Sequence, residues 1–204
     1  VSILGGIIQL GGGDNQIPVG GFLNGTTALY LDAIAGSPEL IANGVKVDLN
    51  ADVTLSNSGA TLSGSKGTSA YSFNFKKDII IQDYATATLS ASNMITGSTS
   101  KINVGSGATL TVSGSFIDNT DTQQATQITK NGTGTLEFTG TGNSYSGATT
   151  VNAGLLSIAQ GAFTNASTTI TVNNSGNLTA TDLGANVSVT VNSGGTADIS
   201  GTDI

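Results

Sequence analysis

Apolar and polar residues alternate along much of this chain in short runs, and the runs return at a nearly constant distance. Ile170 and Val172 alternate with threonine, and Val187, Val189 and Val191 alternate with serine and threonine. A period of two turns one set of side chains into a core and the other to water, which predicts strands. An Asn-x-Gly or Asn-Ser-Gly follows, turn chemistry because both residues tolerate positive φ. A second short strand such as Leu-Leu-Ser-Ile then supplies two more inward positions. Copies open at Val151, Val172 and Val191 as VNAGLLSI, VNNSGNLTA and VNSGGTADI. Gly134, Gly154, Gly176 and Gly195 lie 20, 22 and 19 residues apart. The pairs Leu136/Phe138, Leu156/Ile158, Leu178/Ala180 and Ala197/Ile199 keep the same step. A period near 20 with strand alternation inside it predicts a solenoid, in which each coil is too small to bury a core without its neighbours. The expected fold is all-β, a parallel β-helix with coils of about 20 residues, each advancing about 4.8 Å. About ten coils would then give a rod of about 50 Å.

Upstream the pattern is looser. Ala-Thr-Leu recurs at 60–62, 87–89 and 108–110, and Gly134-Thr135-Leu136 continues it, in steps of 27, 21 and 26. Some coils therefore carry insertions. Val45 to Leu49 and Asp78 to Ile81 read as the preceding strands. Residues 1–44 are least regular: Gly11-Gly12-Gly13-Asp14 and Pro18 mark turns, and Thr26 to Ala35 fits a strand or one short helix. The expected division is an irregular N-terminal coil or cap over 1–44 and β-helix coils over 45–204.

Composition narrows the function classes. Twenty-nine glycines, two prolines and 9% charged residues suit many strands joined by tight turns. A net charge of −7, with six lysines and no arginine, carries no nucleic-acid footprint and does not favour an anionic membrane surface. No run of apolar residues is long enough to span a bilayer. Val1 to Leu10 lacks the basic flank of a signal peptide, so the chain reads as an internal fragment of something longer. Without cysteine there is no disulfide or thiol chemistry, and without histidine the usual nucleophilic triads are absent.

Lys130 to Ile158 resembles the passenger-associated transport repeat of bacterial autotransporters. The resemblance rests on K-N-G-T-G-T-L-E-F at 130–138, N-S-Y-S-G at 143–147 and T-T-V-N-A-G-L-L-S-I at 149–158. Ala148 stands where a second glycine is common, and Thr141-Gly142 lengthens the preceding loop. The resemblance implies a right-handed parallel β-helix exported to the surface of a Gram-negative cell. It also implies a cleaved signal upstream and a translocating C-terminal β-barrel downstream, neither within these residues. Most family members with such low-charge, Thr/Asn-rich passengers act as adhesins or self-associating proteins.

The candidate positions divide between structure and recognition. Asn131, Asn152, Asn173 and Asn192 are expected to form a turn ladder, their amides hydrogen-bonding from coil to coil. The threonines Thr139/Thr141, Thr149/Thr150, Thr168/Thr169 and Thr179/Thr181 are expected to face outward. Asn119-Thr120-Asp121 matches the N-T-D of pectin-cleaving β-helix hydrolases, but that chemistry needs a further acidic pair and basic clamps. Asp118 and Asp121 therefore read as a loop between coils, and no catalytic residue is expected. Gly11 to Asn15 reads as a turn rather than a calcium repeat. Asp48, Asp52, Asp78, Asp83, Asp118 and Asp121 have no spacing that demands a metal, so no metal or cofactor is expected. Phe73 and Phe75 fit an inward pair before the solvated Lys76 and Lys77. Tyr71 and Tyr84 read either as sugar-stacking platforms or as core and edge packing. Two functions remain: an adhesin that binds itself or a host receptor or glycan through a polar flank, and a structural stalk. Neither is an enzyme.

Overall fold

A computed structural model describes residues 2–3, 7–10, 29–32, 36–44, 46–65, 71–163 and 166–201. Two nine-stranded parallel sheets run along them. Sheet 1 takes Val53–Ser56, Ile79–Ile81, Ile102–Val104, Ile128–Asn131, Thr149–Val151, Thr169–Val172 and Ser188–Val191 in turn. Sheet 2 takes the strand that follows each, from Ser58–Ser65 to Thr196–Ile199. Because successive coils add one strand to each sheet in the same direction, the chain is a parallel β-solenoid, as its periodicity requires. A third sheet of Val47–Leu49, Phe73–Phe75 and Ile95–Thr96 closes the coils in the first half, and a bridge from Met94 to Phe116 extends it. Further along, loops replace it.

The core is the column of inward side chains. Leu29, Leu31, Val53, Leu55, Ile79, Ile81, Ile170 and Val172 are all buried, as are both Phe73 and Phe75. A chain of aromatic contacts runs through the core: Phe75 to Phe116 at 6.4 Å between centroids, Phe116 to Phe138 at 6.1 Å, and Phe138 to Phe163 at 5.0 Å. Tyr145 meets Phe163 edge-on at 5.7 Å. In the edge-to-face pairs Phe116–Phe138, Phe138–Phe163 and Tyr145–Phe163 the positive ring edge meets the negative face of its neighbour, which adds about 1 kcal/mol per pair beyond burial.

Several expectations change in detail. Among the described residues the long sheets hold nine rungs, and an inserted coil reaches a step of 28 residues while the regular ones keep 21 and 19. Ala87 pairs with Leu110 rather than Ala108, so the Ala-Thr-Leu copies at 87–89 and 108–110 are two residues out of register. A slip of two preserves the inward face, which is why the pattern conceals it. The described strands of the first 44 residues, Ser2–Ile3, Ile7–Leu10, Leu29–Asp32 and Glu39–Asn43, pair in parallel with the coils that follow. Leu29–Asp32 decides for a strand within 26–35, while Gly11 to Asn15 and Pro18 lie outside the described residues. Thr149 and Thr168 are buried rather than outward. The phenol of Tyr145 needs a partner in the core and lies 2.7 Å from Thr149 Oγ1, while Thr168 Oγ1 donates to the Gly147 carbonyl at 2.6 Å. Val191 faces inward opposite Val172 but is 46% exposed, since no described rung covers it.

Candidate functional site

In the later coils the chain turns at an asparagine at or just after the sheet 1 strand, and stacking brings these side chains into one column. Asn192 donates its amide to Asn173 Oδ1 at 2.7 Å, Asn173 to Asn152 at 2.7 Å, and Asn152 to Asn131 at 2.8 Å. Two partners lie beyond the sequence motif: Asn131 donates to Asn103 at 3.1 Å, and Asn103 donates to Asp78 Oδ2 at 3.0 Å. Every amide points the same way and the row ends on a carboxylate, so each bond polarises the next and the last is charge-assisted. Asn103 was hidden by the 28-residue step that separates it from Asn131.

Lys130 is the residue that sequence reasoning missed. It occupies an inward position of Ile128–Asn131 and is fully buried. Its ammonium donates to the carbonyls of Asn131 at 2.8 Å, Gly132 at 2.6 Å and Ala153 at 3.0 Å. Three donors thus meet three acceptors at one turn and tie it to the next coil. Burial pulls its pKa down to about 8.

The N-S-Y-S-G block does similar work on the opposite side. Asn143 is buried; its Oδ1 accepts the Phe116 N–H at 2.8 Å, and its amide donates to Gly140 at 3.0 Å and Ala162 at 2.9 Å. One side chain therefore joins three successive coils. Ser146 donates its N–H and hydroxyl to Asp118, which also accepts the Thr126 N–H. A side chain at Gly147 would strike the Thr126 carbonyl.

On the third side, Asp48 accepts from Tyr71 at 2.8 Å, Asn74 at 3.0 Å and Lys76 at 3.1 Å. Burial raises its pKa, but these donors outweigh it and hold the carboxyl below the usual range. Burial and the bond to Asp48 push the Tyr71 phenol up to about 12. Tyr71 is nearly covered, which decides for packing there. The 118–126 insertion holds its own turn through Asn119 Oδ1, which accepts from Asp121 and Thr122. Asp121 then pairs with Lys46, whose ammonium lies 5.4 Å from the Tyr71 ring centre. The N-T-D segment is thus part of a strap.

Among the described residues no three acidic side chains gather. Asp52, Asp78, Asp83 and Asp118 each cap backbone N–H groups of a neighbouring segment.

The family model described as passenger-associated-transport-repeat matches residues 128–158. That range opens with the strand carrying Lys130 and closes with the sheet 2 strand Gly154–Ile158. No curated protein and no solved structure matches the chain. The family implies secretion across the outer membrane. Residues 128–158 thus carry a transport repeat of autotransporter passengers, set into a parallel β-solenoid consistent with a passenger domain.

Proposed function

We propose that this segment belongs to a bacterial cell-surface adhesin and attaches through the outer face of sheet 1. The observation that carries the reading is a regular, uncharged polar array. Thr129, Thr150, Thr171 and Thr190 stand in register, flanked by Asn131, Asn152, Asn173 and Asn192. Such a face offers hydroxyls and amides at the rung spacing of about 4.8 Å. Individually these contacts are weak, and repetition along a rod and across a cell surface makes attachment firm. The partners it suits are a second copy of the rod or a host receptor or glycan. The passenger's own C-terminal β-barrel serves export.

A second reading, a stalk that spaces and folds while activity lies elsewhere, has its own support. The transport repeat overlaps the same array, and its asparagines already spend their amides on one another. Sedimentation across a wide concentration range, at low and high salt, tests the first reading together with attachment to host cells. Reversible assembly or cell binding that Thr150→Lys/Thr171→Lys abolishes is the expected result. A monomer that binds no cell leaves the stalk.

A further inference from the structure

The corner between sheets 1 and 2 demands a left-handed residue in several coils. Two positions before the sheet 2 strand pairing, Gly107 has φ 65°, Ser175 72° and Gly194 84°. In the coil that pairs Thr86 with Thr109, the same position is Tyr84, with φ 60°. A bulky side chain in this conformation costs about 1–2 kcal/mol that glycine avoids. The ring then lies over the next corner, where a Cβ at Gly107 would come within 2.8 Å of Tyr84 Cδ1. It remains 78% exposed, against 42% for Tyr30 and 46% for Val191, the other large exposed hydrophobics of the described residues. A strained, exposed aromatic at a position suited to glycine contributes little to the core, and such local violations mark recognition sites.

The surroundings indicate what it would recognise. Directly before Tyr84 in the chain, Gln82 and Asp83 line an open recess of about 570 Å³ together with Ile80, Asn103, Gly105 and Gly132. Ile80 is an aliphatic residue on the outward column of sheet 1, between Thr54 and Asn103. An apolar floor with the Asp83 carboxylate and the Gln82 amide at the rim suits a ligand that has a C–H face and many hydroxyls. The aromatic ring offers the matching platform, apolar in body and polar at its tip. The lining includes Asp83 and no lysine, and the chain carries a net charge of −7, which repels sialylated or sulfated sugars.

Building on the adhesin reading, we infer that Tyr84 and the adjoining Ile80–Asp83/Asn103 cleft form a binding site for an uncharged glycan, with the tyrosine stacked on a sugar ring. The test is saturation-transfer NMR on the purified chain with lactose, cellobiose and N-acetylglucosamine oligomers, and with sialyllactose as the anionic comparison. Binding of at least one neutral oligosaccharide at millimolar concentration is expected, and none of sialyllactose. Tyr84→Phe retains it, while Tyr84→Gly weakens it by about tenfold or more, a loss of about 1.4 kcal/mol, and melts no lower than the parent. The inference is overturned by silence across the neutral panel, by undiminished binding in Tyr84→Gly, or by a lower melting temperature of that variant, which would make the ring a packing element. Host-cell attachment measured in parallel separates the two readings. Attachment without glycan binding sinks this site alone, and loss of both sinks the adhesin as well.

Discussion

Lys130 holds a charge where the repeat otherwise places aliphatic side chains, and its stability contribution depends on pH. Its folded pKa of about 8 lies below the usual lysine value, so the unfolded chain binds more protons above pH 8. Stability therefore rises with pH from about 8 toward about 10. Higher still, the Tyr71 and Tyr145 phenols, both raised by burial, ionise more readily once unfolded, and stability falls. Thermal melts from pH 7 to 11 should show the rise in the parent and its absence in Lys130→Met. The same variant should lose about 3 kcal/mol at neutral pH, because three carbonyls lose their donor. In the asparagine row, Asn152→Asp places an acceptor against Asn131 Oδ1. It should cost about 1–2 kcal/mol in denaturant titration, more than Asn192→Asp at the end of the row. The row was legible in the Asn-x-Gly spacing. The burial of Lys130 was not, since a lysine in a motif gives no sign of which way it faces until Ala153 of the next coil comes to lie beside it.

The strands owe their existence to alternation, but the loops between them obey longer-range contacts. The 118–126 strap crosses from the Phe116 rung to Lys46, which neighbours the first strand of the third sheet. Nothing local encodes that reach; it depends on an exposed ion pair and on a turn built by Asn119. An exposed pair contributes little, about 0–1 kcal/mol. Asp121→Asn should accordingly leave the melting temperature nearly unchanged while increasing proteolytic nicking within 118–126. Asp48 is more consequential. Its depressed pKa gives stability that is present above the ordinary carboxylate range and lost as pH falls through the folded value. Asp48→Asn should flatten the acid limb of the stability curve below about pH 4. The Ala-Thr-Leu series teaches a related limit. Ala85-Thr86-Ala87-Thr88-Leu89 offers two equivalent alignments, and hydrogen bonding to Thr109–Val112 selects between them.

For the molecule as a whole, stability comes from stacked apolar columns with few charges. Val172→Asp buries a carboxylate between rungs and should cost about 3–5 kcal/mol. Val191→Asp, half exposed on the last described rung, should cost about 1 kcal/mol or less. Urea titrations of the pair test the stacking directly, and equal losses would contradict the open last rung. Periodicity alone established the solenoid, the asparagine turns and most inward positions, because each is a local property repeated along the chain. Which coils carry the third sheet, how far the inserted loop reaches, why Thr149 and Thr168 turn inward, and where an exposed tyrosine sits in a glycine's corner were decided between coils. Those outcomes depend on what the next rung places opposite each residue, and that neighbour is about 20 residues away in the chain but a single strand spacing of about 4.8 Å away in space.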